Sequence, residues 1–147
     1  MKHKTACFLF LFSILLLFTP THAIPRITFS HIGTDQGLSQ SSVFDVTQDR
    51  LGFMWMATAD GLNRYDGYGF KTYHNLPHDR FAIGSDIIKT VMTDRQGRLW
   101  IGTNAGLSLY DDLHDRFFNF RTDRKMSVSH IVELGNNQLL ICANGYL

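Results

Sequence analysis

The sequence predicts an all-β fold, specifically a partial β-propeller of two complete four-stranded blades and part of a third. Three observations carry this expectation. Shifting the chain on itself by 45 residues superposes Val46–Asp66 on Val91–Asp111 with ten identical positions, and a period of 40–50 residues marks a blade or solenoid array. Only Glu133 is a glutamate, so the acidic side chains are nearly all aspartates, which favour turns over helix interiors. No stretch after residue 24 keeps a helical apolar period for long, which sets aside a helical solenoid, and a β-sandwich rarely repeats its sequence at fixed spacing.

Each unit reads as four short strands. Val43–Val46 and Ile87–Met92 are rich in β-branched residues and suit first strands. Asp49-Arg50-Leu51-Gly52 and Asp94-Arg95-Gln96-Gly97 are tight turns, since aspartate can bond its own downstream backbone. Second strands follow at Phe53–Thr58 and Arg98–Thr103, third strands at Gly61–Tyr65 and Gly106–Tyr110, and fourth strands at Phe70–Tyr73 and Arg116–Phe120. The run Phe53-Met54-Trp55-Met56-Ala57 is apolar on both faces, as a blade covered on both sides requires. Trp55 and Trp100 are therefore expected in the interblade core in preference to a sugar-stacking surface. A degenerate third unit starts near Val128, and a spacing of 40 places Ile131 under Val91, Leu139-Leu140-Ile141 under Leu99-Trp100-Ile101 and Asn144 under Asn104.

Residues 1–23 read as a secretory signal peptide. Lys2 and Lys4 form a basic start, Cys7–Phe18 is an apolar run, and Thr21-His22-Ala23 ends in small residues suited to cleavage. The apolar run is shorter than the roughly 20 residues that span a bilayer, and Cys7 lies at its start where a lipoprotein would carry it at its end. The mature chain is expected to have no membrane span, a periplasmic location and Cys142 as its single thiol. Cys142 sits in an apolar strand and is expected in the core. Removal of Lys2 and Lys4 turns the formal net charge from +1 to −1. Fourteen basic residues dispersed among thirteen acidic ones offer no clustered surface for a phosphate backbone, which argues against a nucleic-acid partner. The remaining domains are 24–37, a lead-in strand that would close the propeller as the outermost strand of a distant last blade; 38–82, blade 1; 83–125, blade 2; and 126–147, an incomplete blade 3.

The pattern Val-x-x-Val-x-x-Asp-Arg-x-Gly-x-x-Trp-x-x-Thr-x-x-Gly-Leu-x-x-Tyr-Asp resembles the two-component regulator propeller repeat. Val43–Asp66 and Ile88–Asp111 match it over two full units, Ile88 standing where the first unit has Val43. With the lead-in Phe29-x-His31-Ile32 and Gly37-Leu38-Ser39-Gln40-Ser41-Ser42 directly after a signal peptide, the chain resembles the start of the periplasmic sensor of a hybrid two-component histidine kinase. The resemblance implies an extracytoplasmic sensor for glycan-derived ligands, with the remaining blades of the full-length sensor and an oligosaccharide as partners. The sequence carries no phospho-accepting His box and no receiver domain, so it reads as an amino-terminal fragment without enzymatic activity of its own. The alternatives are a fragment of a secreted propeller enzyme, of lyase or glycosidase type, and a propeller devoted to protein interactions. Thr93–Trp100 distantly resembles the Asp-box of sialidase propellers, but two residues separate Asp94 from Gly97 where that motif has one.

No cofactor and no metal are expected. Asp45, Asp49, Asp60 and Asp66 lack the alternating oxygen ligands of a calcium loop, the seven histidines show no ligand pairing, and Ser39, Ser41 and Ser42 lack a nucleophile elbow. The ligand or partner rim is instead expected where the loop entering each blade meets the loop between its second and third strands: Gln40, Ser41, Ser42, Thr58, Asp60, Ser85, Asp86 and Asn104. With too few blades to close a ring, Met54, Trp55 and Met56 at one end, or Leu139–Ile141 at the other, are expected to present an apolar face without a neighbour.

Overall fold

The structure, a computed structural model, describes residues 27–120 and 126–145. The signal segment and Arg26 lie outside them. Residues 27–33 are neither strand nor helix, and a single 3-10 turn follows at Thr34–Gln36. The described residues from His31 onward form one compact unit of three antiparallel sheets.

In the first sheet β1 (Val43–Gln48), β2 (Met54–Thr58), β3 (Leu62–Tyr65) and β4 (Phe70–Tyr73) pair in chain order. The second repeats this meander with β5 (Ile88–Thr93), β6 (Leu99–Thr103), β7 (Gly106–Asp111) and β8 (Arg116–Phe120). The third pairs β9 (Met126–Glu133) with β10 (Leu139–Gly145). The 45-residue repeat is therefore a repeat of register: Val46 faces Met56 and Trp55 faces Thr47 in the first sheet, as Val91 faces Ile101 and Trp100 faces Met92 in the second. The degenerate third unit keeps it, Ile141 facing Ile131 and Leu140 facing Val132. Each first strand carries a bulge at the same place, between Val43 and Asp45 and between Ile88 and Thr90.

Alternation along the strands decides what fills the spaces between the sheets. Trp55, Ala57, Leu62 and Tyr73 from the first blade meet Ile88, Val91, Leu99, Ile101 and Phe117 from the second in one buried cluster, with Ile83 of the connector beneath them. Leu107, Met92 and Trp100 on the opposite face of the second blade meet Val128, Ile131, Leu139 and Ile141 of the third. Both tryptophans occupy interblade core, and Trp55 is fully buried. Gly102, at the repeat position of Ala57, admits the third sheet closely: a Cβ there would stand 2.8 Å from Val128 Cγ1 and 2.5 Å from Thr90 Cγ2.

Period-two alternation also corrects which residues lack a neighbour. Met54 and Met56 face away from the second blade, but Trp55 between them faces into it. The exposed apolar residues of that outer face are Val43, Phe44 and Val46 of β1. At the other end Leu139 and Ile141 pack on the second blade, while Leu140 and Val132 are exposed. Cys142 is exposed as well, contrary to its expected place in the core, because in a two-stranded sheet the face turned from the second blade has no described cover.

Two side-chain motifs lock each repeat. Asp49 Oδ1 accepts the backbone N–H groups of Leu51 and Phe53, and its Oδ2 accepts the indole N–H of Trp55 at 2.7 Å. Asp94 does the same for Gln96, Arg98 and Trp100. Thr58 and Thr103 each donate a hydroxyl to the carbonyl three residues on, Gly61 or Gly106, fixing the next turn. The Asp-to-Trp and Thr-to-Gly spacings of the repeat are thus hydrogen-bonding distances along a turn.

Candidate functional site

The loops singled out from the sequence lie at one end of the strands, and several of them touch. Gln40 Oε1 accepts the N–H of Ala59 at 3.3 Å, and the carbonyl of Asp86 accepts the N–H of Gly61 at 2.7 Å, which joins the β2–β3 loop to the chain entering the second blade. Asp86 Oδ1 also accepts the N–H of Asn75 at 2.6 Å and lies 3.4 Å from His74 Nδ1; Asp60 Oδ1 lies 4.0 Å from the same nitrogen. Ser85 Oγ caps the N–H of Ile87, whose carbonyl accepts the N–H of Asn104. Asp60, Asn104, Ser41 and Ser42 are exposed, whereas Gln40, Ser85 and Asp86 are half-buried.

Thr58 stands apart from this group. It is fully buried, and its hydroxyl donates to Gly61, accepts the N–H of Asp60 and lies 3.1 Å from Ser39 Oγ, so it shapes the loop without presenting a polar group to solvent. Among the described residues no three His, Cys, Asp or Glu side chains are grouped to hold a metal ion.

A cleft of about 180 Å³ opens at the other end of the strands, where the β1–β2 turn faces the β5–β6 turn. Arg50, Phe53 and Arg64 form one wall; Gln96, Arg98 and Tyr110 form the other. Arg50 reaches across to Asp112 at 2.5 Å, and that pairing raises its pKa. The stem of Arg50 crosses directly over Gly97, whose missing Cβ would stand 2.8 Å from Arg50 Cδ. Arg98 pairs with Asp94 at 2.6 Å. Burial works to raise the pKa of Asp94, but the hydrogen bonds from Trp100 and Arg98 outweigh it and lower it. Arg64 has its guanidinium 4.7 Å from the centre of the Phe53 ring and Nη1 3.4 Å from Tyr110 Oη.

Beside the cleft, Asp115 gathers donors from both blades. It accepts the hydroxyls of Tyr73 and Tyr110, each at 2.7 Å, and pairs with Lys71. Burial opposes ionisation there, yet Lys71 and the two tyrosines hold the carboxyl at a pKa of about 2. Burial, followed by the bonds to Tyr110 and Asp115, raises the Tyr73 hydroxyl well above its ordinary range. These groups are interblade fasteners and contain no paired acid and base facing an open volume.

Residues 82–105, which run from the connector through β5 and β6 to the next turn, match the family described as the two component regulator propeller. That segment is similar to one two-component regulator propeller repeat. The first blade shares the register, the Asp–Trp pair and the Thr–Gly turn of the matched unit. A 47-residue stretch, 32% of this chain and 3% of the relative, is 55% identical to histidine kinase P4 of Formosa agariphila. The extracellular domain of a hybrid two component system of B. thetaiotaomicron superposes on 77% of this chain with a TM-score of 0.68 and 30% identity. The extracellular domain of a one component system of B. thetaiotaomicron superposes on 78% of it with a TM-score of 0.60 and 19% identity, a likeness of fold. The chain spans 17% of the length of each of those two extracellular domains.

The sequence did not single out Arg64, Tyr110 or Asp115 for a site. For Arg64 a signal was available: at the matching position the second unit has Leu109.

Proposed function

We propose that this chain is the extracytoplasmic sensor portion of a hybrid two-component signalling protein, reading a glycan-derived ligand, with kinase activity residing in other parts of the intact protein. The observation that carries the reading is the 30% identity, along with the shared fold, to the extracellular domain of a hybrid two component system. The local identity to a histidine kinase agrees with it. Blades supply rigid walls, and their connecting loops are free to vary with the ligand. The cleaved signal at 1–23, the periplasmic location and the rim of Gln40, Ser41, Ser42, Asp60, Ser85, Asp86 and Asn104 belong to this proposal, with the remaining blades as the structural partner.

The test is transcriptional. Cells grown on a panel of purified oligosaccharides are compared with and without an in-frame deletion of codons 38–125. The reading expects that one oligosaccharide class induces a gene set only in the intact strain, with the protein in the periplasmic-facing fraction. Induction unaffected by the deletion across the panel, or a cytoplasmic protein, overturns it.

A further inference from the structure

We infer that the cleft between the β1–β2 and β5–β6 turns is an oxyanion site centred on Arg64, taking the carboxylate of a small organic acid. This holds whether or not the propeller is a sensor.

The repeat isolates Arg64 as an exception. Strand register places it opposite Trp55, on the face that packs toward the second blade, at the position where the second unit has the apolar Leu109. A half-buried guanidinium in an interblade position is costly unless something compensates its charge. The other two cleft arginines have partners, Arg50 in Asp112 and Arg98 in Asp94. Arg64 forms no ion pair with any described carboxylate; its neighbours are the faces of the Phe53 and Trp55 rings and the neutral phenol of Tyr110. The guanidinium lies over the Phe53 ring, and its planar fork of donors matches a carboxylate bidentately.

The walls set the rest of the selectivity. Asp49 and Asp112 line the cleft: Asp112 is paired with Arg50, and Asp49 has its oxygens turned to the N–H groups of Leu51, Phe53 and Trp55, its charge bearing on Arg50. Gln96 and Tyr110 add neutral hydrogen-bonding groups at the edge. A volume of about 180 Å³ lies below the roughly 300–1,000 Å³ of pockets that enclose drug-sized ligands, so the cleft admits one acidic ring or head group and not a chain.

The experiment is calorimetric titration of the intact chain at low ionic strength with sodium glucuronate, with glucose as the same ring lacking the carboxylate, and with sodium sulfate. Saturable glucuronate binding at least about tenfold tighter than glucose is expected. Arg64→Lys, which keeps the charge and loses the fork, should weaken it about tenfold, and Arg64→Gln should abolish it. Arg64→Leu restores the residue of the second unit, so it should fold at least as well and bind neither anion. Arg95→Gln, at the Arg50 position of the next repeat, should leave binding unchanged. Sulfate displacing glucuronate and failing with Arg64→Leu supports the same site with a sulfate ester as an alternative source of the oxyanion. Absence of saturable binding by both anions, equal affinity for glucose, or binding that survives in a folded Arg64→Leu chain overturns the assignment.

Discussion

Asp45 of β1 accepts the backbone N–H of Val91 of β5 at 3.0 Å, a side-chain bond that ties the first strand of one blade to the first strand of the next. The same oxygen, Oδ2, accepts the Thr90 hydroxyl at 2.7 Å. The bulge between Val43 and Asp45 aims this carboxylate across the boundary. Asp45→Ala is expected to cost about 1.5–3 kcal/mol, the range for a hydrogen bond to a charged acceptor, and Asp45→Asn less because one acceptor remains. Urea unfolding with amide exchange at Val91 is the check; unchanged exchange at that amide would contradict a bond there.

Asp94 satisfies two backbone donors, the Trp100 indole and the Arg98 guanidinium from a nearly inaccessible position. In Asp94→Asn an amide group replaces one of the acceptor oxygens and meets donors. The expected loss is about 2–3 kcal/mol, larger than for Asp49→Asn, whose site lacks the arginine bond. Denaturation midpoints of the two variants under identical conditions decide the ranking.

Acid should loosen the boundary between the first two blades. The folded Asp115 carboxyl has a pKa of about 2 against an ordinary 3.8, so its contribution is complete above about pH 4 and fades as pH falls through 2. Because the side chain is 42% exposed, solvent screening holds that contribution to about 1 kcal/mol or less. A stability profile between pH 5 and 2 should be shallower for Asp115→Asn than for the parent; parallel profiles would show that Lys71, Tyr73 and Tyr110 do not act through this charge.

Expressed alone, residues 24–147 should self-associate. Phe44 and Val46 at one end and Val132 and Leu140 at the other are each about half exposed, so each forgoes about half of the roughly 1.5–3 kcal/mol that full burial of a large apolar side chain contributes. Several such losses approach the roughly 5–15 kcal/mol stability of an ordinary domain. Phe44→Lys with Leu140→Lys should shift sizing profiles toward monomer without lowering the melting temperature. A concentration-independent monomer with a sharp transition before any substitution is the contrary outcome.

Strand positions were legible because turns, glycines and β-branched runs recur at one spacing, and even the weak third unit kept its register, as Ile131 and Ile141 show. Trp55 lies in the interblade core as expected, but its grouping with Met54 and Met56 as an end face without a neighbour fails, because in Met54-Trp55-Met56 both alternating sets are apolar and composition alone cannot say which set meets the neighbour. Cys142 was placed in the core by its apolar flanks, but coverage depends on sheet size, which no local window encodes. The rim loops followed from the meander, whereas the buried fate of Thr58 depended on hydrogen bonds to Gly61 and Ser39. Arg64 escaped notice because matching repeats emphasises identities, and its significance lies in a mismatch with Leu109.

Trp55 leans on the blade that follows it in the chain, Trp100 leans on the next, and Leu140 holds the corresponding position in the third sheet, facing outward. The stack therefore has a head and a tail that differ. Two such chains cannot join through this complementarity by a two-fold axis, which would bring like ends together. Only head-to-tail contact continues the pattern, and such heterologous contact either closes into a ring or propagates as an open filament.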